Sequence, residues 1–272
     1  MHQNRIAVCS WSLHPESPEE LVAGVRAVGL SRVQLALNRL ITEPAWKTAG
    51  EILRANGITI VSGMLNTRGE NYSSLETIRR TGGVVPDETW EDNWRDIQAV
   101  VEVAAGLGLS LVTFHAGYLP GDPATPAFAK LLGRLRAIAD AFAGKGIGIA
   151  FETGQETAAT LQVFLEALDR PNVGVNFDPA NMILYGKGDP IASLKLLAPW
   201  VRQVHIKDAR HTAMPGTWGS EMPAGTGDVD WPAFFACLAA VRLDVDLVIE
   251  REGGAERVKD IVQARELCER LR

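Results

Sequence analysis

Four side chains that can bind a metal or transfer protons stand at the ends of four short apolar segments. They are Glu152 in IAFETG, Asp178 in VGVNFDPAN, His205 in VRQVHIKDAR and Glu250 in VIERE. If each segment is a β-strand, the alternation of side chains allows all four to point to the same side of a sheet. Three carboxylates in one place repel strongly, and a divalent cation among them removes that repulsion. Three oxygen ligands and one imidazole suit Mn²⁺, Co²⁺, Mg²⁺ or Zn²⁺ and suit Cu⁺ poorly, so the four residues predict a site for one divalent metal ion.

Each of the four residues also has a structural interpretation. A single histidine on a strand, such as His205, is often structural, and Asp178 can cap the turn DPAN. Glu250 can belong to a surface ion-pair cluster, and Glu152 can lie at the N-terminus of a helix. The occurrence of all four at successive strand ends favours the metal site. Lys207 lies one pleat beyond His205 on the same face, where it can contact a substrate oxygen or phosphate.

Eight short β-rich segments recur along the chain, with helical patterns between them. The segments are 6–13, 32–37, 58–65, 111–118, 147–153, 173–178, 201–208 and 246–252. A helix over 17–29 begins with a capping box at Ser17, and further helices are expected over 124–146 and 254–272. The alternation predicts an α/β fold, a single (β/α)8 TIM barrel over residues 1–272. A doubly wound open sheet is the alternative, although no GxGxxG motif follows the first strand.

The lengths of the connections differ at the two ends of the predicted strands. Links from helix to strand are short, as in GLS at 29–31, whereas three links from strand to helix are long. The long links are 66–87, 179–189 and 209–229. In a barrel they lie at the C-terminal rim, where sites are built, so the asymmetry predicts a working face there. The segment 73–87 is long for a loop and is a candidate lid.

The composition disfavours several classes of protein. The 272 residues are 46% apolar, which is enough for a sizeable core, and they carry a net charge of −6, which disfavours duplex nucleic acid as a partner. No run of ~18 or more apolar residues indicates a membrane span, and the N-terminal segment lacks the apolar core of a secretory signal. The three scattered cysteines, Cys9, Cys237 and Cys268, are expected to be reduced thiols. We therefore expect a cytoplasmic protein that binds neither nucleic acid nor membrane.

Five segments carry a resemblance to a known group of enzymes. IAFETG, VGVNFDPAN, VRQVHIKDAR, PAGTGDVDW and VIERE resemble the sugar phosphate isomerase/epimerase family of xylose isomerase-like TIM barrels, a superfamily that includes ketose 3-epimerases, inosose dehydratases and endonuclease IV. The resemblance runs from about residue 6 to 252. It implies that Glu152, Asp178, His205 and Glu250 hold one manganese, cobalt, magnesium or zinc ion. By the same likeness, Glu152 and Glu250 exchange protons with a sugar substrate.

The implied reaction is the isomerisation or epimerisation of a sugar or keto-sugar through an enediolate. A metal bound to the carbonyl and neighbouring hydroxyl oxygens stabilises the enediolate, and two carboxylates remove and return a proton. Return to the opposite face of the carbon gives the epimer, and return to the adjacent carbon interconverts aldose and ketose. Besides Lys207, four residues are candidates for contacting the substrate: His115, Trp11, Glu156 and Arg210. Their structural alternatives are packing, burial in the core, helix capping and a solvated charge, respectively.

Departures from the family pattern leave the exact reaction open. Some ketose 3-epimerases carry a histidine three residues after the metal aspartate, where this chain has Asn181. Endonuclease IV needs further histidines for a three-metal cluster, and the five histidines here are too few. The alternatives are a metal-dependent dehydratase of a keto-polyol on the same barrel, a sugar-binding barrel without activity and a phosphodiester hydrolase. The identity of the sugar, its phosphorylation and the assembly of a homo-oligomer stay open.

Overall fold

The computed structural model describes residues 5–214 and 216–272. Its strands are β1 (Ile6–Cys9), β2 (Arg32–Ala36), β3 (Thr59–Met64), β4 (Leu111–Phe114), β5 (Gly148–Glu152), β6 (Val173–Phe177), β7 (Val201–Ile206), β8 (Asp208–Arg210), β9 (Ser220–Met222) and β10 (Asp246–Ile249). Eight of them form a closed parallel barrel in the order β1-β10-β7-β6-β5-β4-β3-β2, and β8 and β9 form a separate antiparallel hairpin. The predicted (β/α)8 barrel is confirmed, and the open sheet is excluded because β10 pairs with β1.

Helices surround the barrel. They are α1 (Pro18–Ala27), α2 (Asn38–Thr42), α3 (Ala49–Ala55), α4 (Leu75–Thr81), α5 (Asp87–Leu107), α6 (Pro126–Ala143), α7 (Ala158–Leu168), α8 (Pro179–Leu184), α9 (Pro190–Leu197), α10 (Trp231–Ala240) and α11 (Arg257–Leu271). The cap expected at Ser17 is present, because its side chain accepts a hydrogen bond from the Glu20 amide at 3.2 Å. Outward-facing strand residues and the inner helix faces share one large apolar core.

The structure corrects several predicted boundaries. The first strand, predicted over 6–13, ends at Cys9, and Ser10–Leu13 forms a 3₁₀ helix. The Ser10 hydroxyl accepts a hydrogen bond from the Ala36 amide at 3.0 Å. This side-chain bond takes the place of a backbone bond between β1 and β2. The three long rim links are also ordered, since they contain α4, α8 and the β8–β9 hairpin.

The candidate lid over 73–87 contains the helix α4, and its role as a lid stays a prediction. The Ser74 hydroxyl accepts a hydrogen bond from the Thr77 amide at 3.0 Å and caps the N-terminus of α4. Ile78 of this helix is only 1% exposed and packs inward, whereas Glu76, Arg79 and Arg80 are exposed to solvent.

Polar side chains fill the inside of the barrel below its C-terminal rim. They include the buried residues Gln34, Ser62, Thr113, Asn176, Gln203 and His205. The Ser62 hydroxyl donates to Gln203 at 2.6 Å, the Gln203 amide donates to Asn176 at 3.2 Å, and the Gln34 amide donates to Thr113 at 2.7 Å. Because these buried groups bond to one another, the interior forms a hydrogen-bonded floor under the rim.

Asp208 fixes the long connection between β7 and α10. Its carboxylate is 1% exposed and accepts hydrogen bonds from the Ala209, Gly225, Gly227 and Val229 amides and from the Trp231 indole at 2.8–3.2 Å. At Gly227, a Cβ atom would lie 2.1 Å from Asp208 Oδ1, which explains why this position has no side chain. The segment PAGTGDVDW is thus wrapped around one buried carboxylate.

Replacing Asp208 by alanine is expected to lower the free energy of unfolding by about 3–4 kcal/mol. Five donors would lose their acceptor, and an unpaired buried donor costs about 1–3 kcal/mol, which loop relaxation reduces in part. Urea unfolding followed by circular dichroism measures the loss. The matched control is Asp189→Ala, which removes an exposed cap from α9 and should cost about 1 kcal/mol. Equal losses in the two variants would contradict the role of Asp208.

Candidate active site

The structure brings together the four residues predicted as metal ligands. Glu152 ends β5, Asp178 follows β6, His205 lies in β7 and Glu250 follows β10. One ligand atom from each lies within 4.8 Å of the others, and all four residues are buried. The Nδ1 atom of His205 is 3.5 Å from Glu152 Oε1, 3.5 Å from Glu250 Oε2 and 3.9 Å from Asp178 Oδ2. The imidazole nitrogen therefore faces three carboxylates.

Two atoms of this cluster lack hydrogen-bond partners among the described residues. They are Asp178 Oδ2 and His205 Nδ1, both buried. The other oxygen of Asp178 accepts from the Ala180 and Asn181 amides at 2.8 and 3.0 Å, so this residue also caps α8 as its structural interpretation required. Buried polar atoms normally have partners, and a divalent cation accepts lone pairs from an oxygen and a nitrogen of this kind. The donor set fits such a cation.

The electrostatics of the cluster also favour a cation. Burial raises the pKa of Asp178 to about 7, and the carboxylates of Glu152 and Glu250 add to this effect. Burial also opposes the charged form of His205, but those two carboxylates and Cys9 outweigh it and raise its pKa well above the usual value. The cluster thus retains protons that a bound divalent ion would displace.

Gln34 contacts the nitrogen of His205 that points away from the carboxylates. The Nε2 atom of His205 lies 2.8 Å from Gln34 Oε1. The amide nitrogen of Gln34 donates to the Thr113 hydroxyl, whose own proton is directed at Met64 Sδ at 3.0 Å. This chain of bonds turns the Gln34 oxygen toward His205 Nε2, which also lies 3.0 Å from the amide nitrogen of Asn176. With Nδ1 bound to a metal, Nε2–H would donate to the Gln34 oxygen.

Replacing Gln34 by methionine is expected to weaken binding of Mn²⁺ by about 10–100-fold, the usual effect of losing a partner that orients a ligand. Titration calorimetry measures the affinity, and long-range ¹⁵N NMR of His205 reports its tautomer. Gln162→Met is the matched control, because Gln162 lies on the outer face of α7 and bonds to the exposed Glu166 instead. Unchanged affinity and an unchanged tautomer in Gln34→Met would show that Gln34 does not orient the histidine.

Amide side chains orient Glu152. Asn176 donates to Oε2 at 3.2 Å, and Asn181 donates to Oε1 at 3.0 Å and to the Thr153 carbonyl at 3.1 Å. Asn181 is the position at which the sequence departs from some ketose 3-epimerases, and here it holds this carboxylate. His115 Nε2 lies 3.7 Å from Oε1, and with His205 it offsets the effect of burial and lowers the pKa of Glu152.

Glu250 is held by an indole and an ammonium group. The Trp11 indole donates to Oε1 at 2.8 Å, and Lys207 donates to Oε2 at 2.8 Å and to Glu252 Oε2 at 2.5 Å. Burial opposes ionisation of Glu250, but Lys207 and His205 outweigh it and hold its pKa well below the usual range. Glu250 therefore belongs to an ion-pair cluster, but a buried one. Lys207 is engaged by two carboxylates and is 4% exposed, so it is not a free cation at the rim.

An open cavity of about 820 Å³ lies above the cluster at the C-terminal rim. Glu152 and Glu250 line it, whereas Asp178 and His205 are fully covered beneath it. Three of the five predicted substrate contacts, Trp11, His115 and Lys207, also line the cavity. The two glutamates are thus the members of the cluster that a ligand in the cavity meets.

Two other predicted contacts lie elsewhere. Arg210 is exposed and donates to the Thr226 carbonyl at 2.8 Å, within the connection that Asp208 organises, and it does not line the cavity. Glu156 is 8% exposed, and burial raises its pKa to about 8, so a proton is retained near neutral pH. It does not cap α7, because Thr157 does so.

Comparison with known proteins assigns the fold to a family. A family model described as a xylose isomerase-like TIM barrel matches residues 21–272. The chain belongs to the xylose isomerase-like TIM barrel family. The resemblance drawn from the sequence motifs is therefore confirmed. No helix in the described part of this xylose isomerase-like chain is long and apolar enough to cross a membrane.

Three individual proteins resemble this chain in sequence or in fold. The crystal structure of a xylose isomerase domain protein from Planctomyces limnophilus is 31% identical, with a TM-score of 0.90 over 98% of this chain and 97% of that one. A ketose 3-epimerase from Arthrobacter globiformis is 28% identical over 169 residues, which cover 57% of this chain and 53% of that protein. The chain thus spans about half the length of this curated relative. A D-allulose 3-epimerase from Methylomonas sp., solved with D-allulose, shares the fold at 17% identity, with a TM-score of 0.74 over 99% of this chain and 97% of that one.

Several residues around the cavity of this xylose isomerase-like barrel were not expected to belong to the site. They are Gln34, Glu70, Tyr72, Tyr185, Trp218 and Glu252. Gln34 had a usable signal, since it is a polar residue inside the apolar segment RVQLAL. The aromatic residues had none, because they lie in rim connections whose paths depend on distant contacts.

Proposed function

We propose that this protein is a divalent-metal-dependent isomerase or epimerase acting on a sugar or keto-sugar. The observation that carries the proposal is the division of the buried cluster into two glutamates that line a cavity and a covered Asp178–His205 pair. Glu152 and Glu250 belong to β5 and β10, which are separated by β6 and β7 in the barrel order, so they approach the cavity from different sides. The names of the relatives, ketose 3-epimerase and D-allulose 3-epimerase, support the same reaction class.

Glu152, Asp178, His205 and Glu250 would hold the ion, which is Mn²⁺, Co²⁺, Mg²⁺ or Zn²⁺. When bound, the ion supplies positive charge that stabilises negative charge on substrate oxygens. Hydrogen bonds from Gln34, Asn181 and Trp11 keep the ligands in place before the substrate arrives.

The two glutamates are the proposed acid and base. One carboxylate takes the proton from the carbon next to the substrate carbonyl, and the other delivers a proton to the opposite face, which inverts that carbon. Delivery to the adjacent carbon instead gives aldose–ketose isomerisation. His115, beside Glu152, and Trp11, beside Glu250, are placed to contact substrate hydroxyls or a sugar face. Lys207 orients Glu250.

The test is solvent exchange. The protein is incubated with Mn²⁺ and a panel of ketoses and keto-sugars in D₂O, and the products are followed by NMR and mass spectrometry. Deuterium at one carbon together with a new epimer or isomer supports the proposal. Loss of water from the substrate would favour the dehydratase alternative. A sugar that binds but never gains deuterium would contradict both and leave a sugar-binding barrel.

A further inference from the structure

The cavity is larger than one sugar requires. A hexose has about twelve non-hydrogen atoms, and if each takes no more than the ~30 Å³ of a water molecule in the liquid, it fills roughly 360 Å³ or less. The cavity measures about 820 Å³. More than half of its volume therefore lies beyond a monosaccharide seated on Glu152 and Glu250.

The charges around the cavity disfavour a phosphate or carboxylate in the remaining volume. Lys207 is the lysine that lines it, and this lysine is already paired. Five carboxylates surround the site, and together with Lys207 and a divalent cation they leave a formal charge of −2 with His115 neutral and −1 with His115 protonated. They are Glu70, Glu152, Asp178, Glu250 and Glu252. An added anion would be repelled, so the group that fills the outer volume is uncharged.

Three aromatic rings form the outer wall of the cavity, and each comes from a different rim connection. Tyr72 lies between β3 and α4, Tyr185 follows α8, and Trp218 lies between β8 and β9, two residues before β9. The ring centroids of Tyr185 and Trp218 are 4.8 Å apart in an edge-to-face arrangement, and those of Tyr72 and Trp218 are 6.5 Å apart. Tyr72 is 45% exposed, which is high for so large a side chain. We name these three residues the aromatic wall.

The backbone beside Trp218 is bonded to α8. The Gly219 amide, next to Trp218, donates to the Leu184 carbonyl at 3.1 Å. A Cβ atom at Gly219 would lie 2.5 Å from the Arg210 carbonyl oxygen of β8 and 3.2 Å from the Leu184 Cα atom of α8, so the backbone packs closely on both elements here. The Trp218 indole N–H is buried and lacks a hydrogen-bond partner among the described residues. Flat apolar faces with polar edges are the surfaces on which sugar rings stack.

We propose that the aromatic wall is a subsite for a second, uncharged sugar ring, so that the substrate is a keto-sugar carrying a glycosidic substituent. The inference rests on the proposed function, because it takes the inner part of the cavity to hold the reacting sugar. The second ring supplies binding energy away from the reacting carbon, which the site can use to orient that carbon between the two glutamates.

The test compares matched sugars by titration calorimetry on the full chain with Mn²⁺ present. The pairs are D-fructose against isomaltulose, in which glucose is linked to O6 of fructose, and D-glucose against cellobiose. We expect the disaccharide of at least one pair to bind about tenfold or more tightly than its monosaccharide. In Trp218→Ala and Tyr72→Ala, this ratio of affinities should fall by about three- to tenfold, the effect of losing one stacking face.

Trp90→Phe is the matched control. Trp90 stacks on Trp94 of α5 at 5.7 Å, outside the cavity, so this variant should keep the ratio of affinities. Equal affinities within both pairs, no binding of either disaccharide, or an unchanged ratio in both wall variants would overturn the subsite. Because calorimetry reads binding alone, these outcomes are distinct from a failure of deuterium exchange, which would overturn the proposed reaction.

Discussion

Glu152→Gln and Glu250→Gln are each expected to reduce epimerisation or isomerisation by about 10³–10⁴-fold while the fold stays intact. Glutamine keeps the shape of the side chain and can still accept from Asn181 or Trp11 through its carbonyl oxygen. It cannot take up a proton from carbon, and general acid–base catalysis alone contributes about 10²–10⁴-fold. The loss of a charged ligand weakens the bound ion and adds to the effect.

Isotope exchange shows which face of the substrate carbon each glutamate serves. A variant that retains one carboxylate can still remove a proton from one face and return deuterium to that same face. We therefore expect one epimer to incorporate deuterium without conversion in Glu152→Gln, and the other epimer to do so in Glu250→Gln. Metal content by elemental mass spectrometry, measured on the same samples, shows whether the ion is still bound.

The control for these variants is Glu102→Gln, which removes an exposed partner of Lys145 on the outer surface of the barrel. This variant should convert substrate at the normal rate. Near-normal conversion by either site variant would exclude the two-carboxylate mechanism, whatever the metal content.

Removal of the ion is expected to lower the melting temperature by about 8–16 °C. Without a cation, three buried carboxylates share one small space, and Asp178 Oδ2 and His205 Nδ1 have no partner. An ion supplied at about 1,000 times its dissociation constant stabilises the fold by ~4 kcal/mol, and 1 kcal/mol shifts the melting temperature of a chain of this size by ~2–4 °C. Differential scanning calorimetry after chelation, and again after addition of Mn²⁺, measures the shift.

His205→Ala should abolish the metal-dependent part of this shift, because it removes the nitrogen that faces all three carboxylates. The matched control is His211→Ala, since His211 is exposed and pairs with Asp228 outside the cluster. A His205→Ala protein that still gains stability from Mn²⁺, or an unaltered chain that gains none, would contradict the metal site.

The cluster of four candidate metal ligands could be predicted from the sequence, because its placement follows from the alternation of side chains along single strands. A period of two along a strand, with closure of the barrel, is enough to place Glu152, Asp178, His205 and Glu250 at one rim. Gln34 follows the same rule, and its polar side chain inside an apolar strand was a sufficient signal.

The outer part of the cavity, including the aromatic wall, could not be predicted, because its position depends on contacts between residues far apart in the sequence. The path of the hairpin follows from Asp208, which binds amides 17 and 19 residues later at Gly225 and Gly227. No periodicity encodes this wrapping, so Arg210 was expected at the cavity and Trp218 was not. The helix α4 was missed for a different reason, since its cap at Ser74 is a local signal inside a segment judged by length alone.

The β8–β9 hairpin has its base beside the proposed catalytic carboxylates and carries Trp218 at the outer wall of the cavity. Its base is fixed twice, by Asp208 on one strand and by Glu221 on the other. Glu221 accepts from Arg251 at 2.7 Å and from the Gly253 amide at 2.9 Å, on the segment that carries Glu250. Substitutions at Trp218, between these anchors, are therefore expected to change what the outer cavity accepts without displacing the carboxylates. If the proposed reaction holds, a barrel of this kind could acquire a new substrate through changes near Trp218 while that reaction is kept.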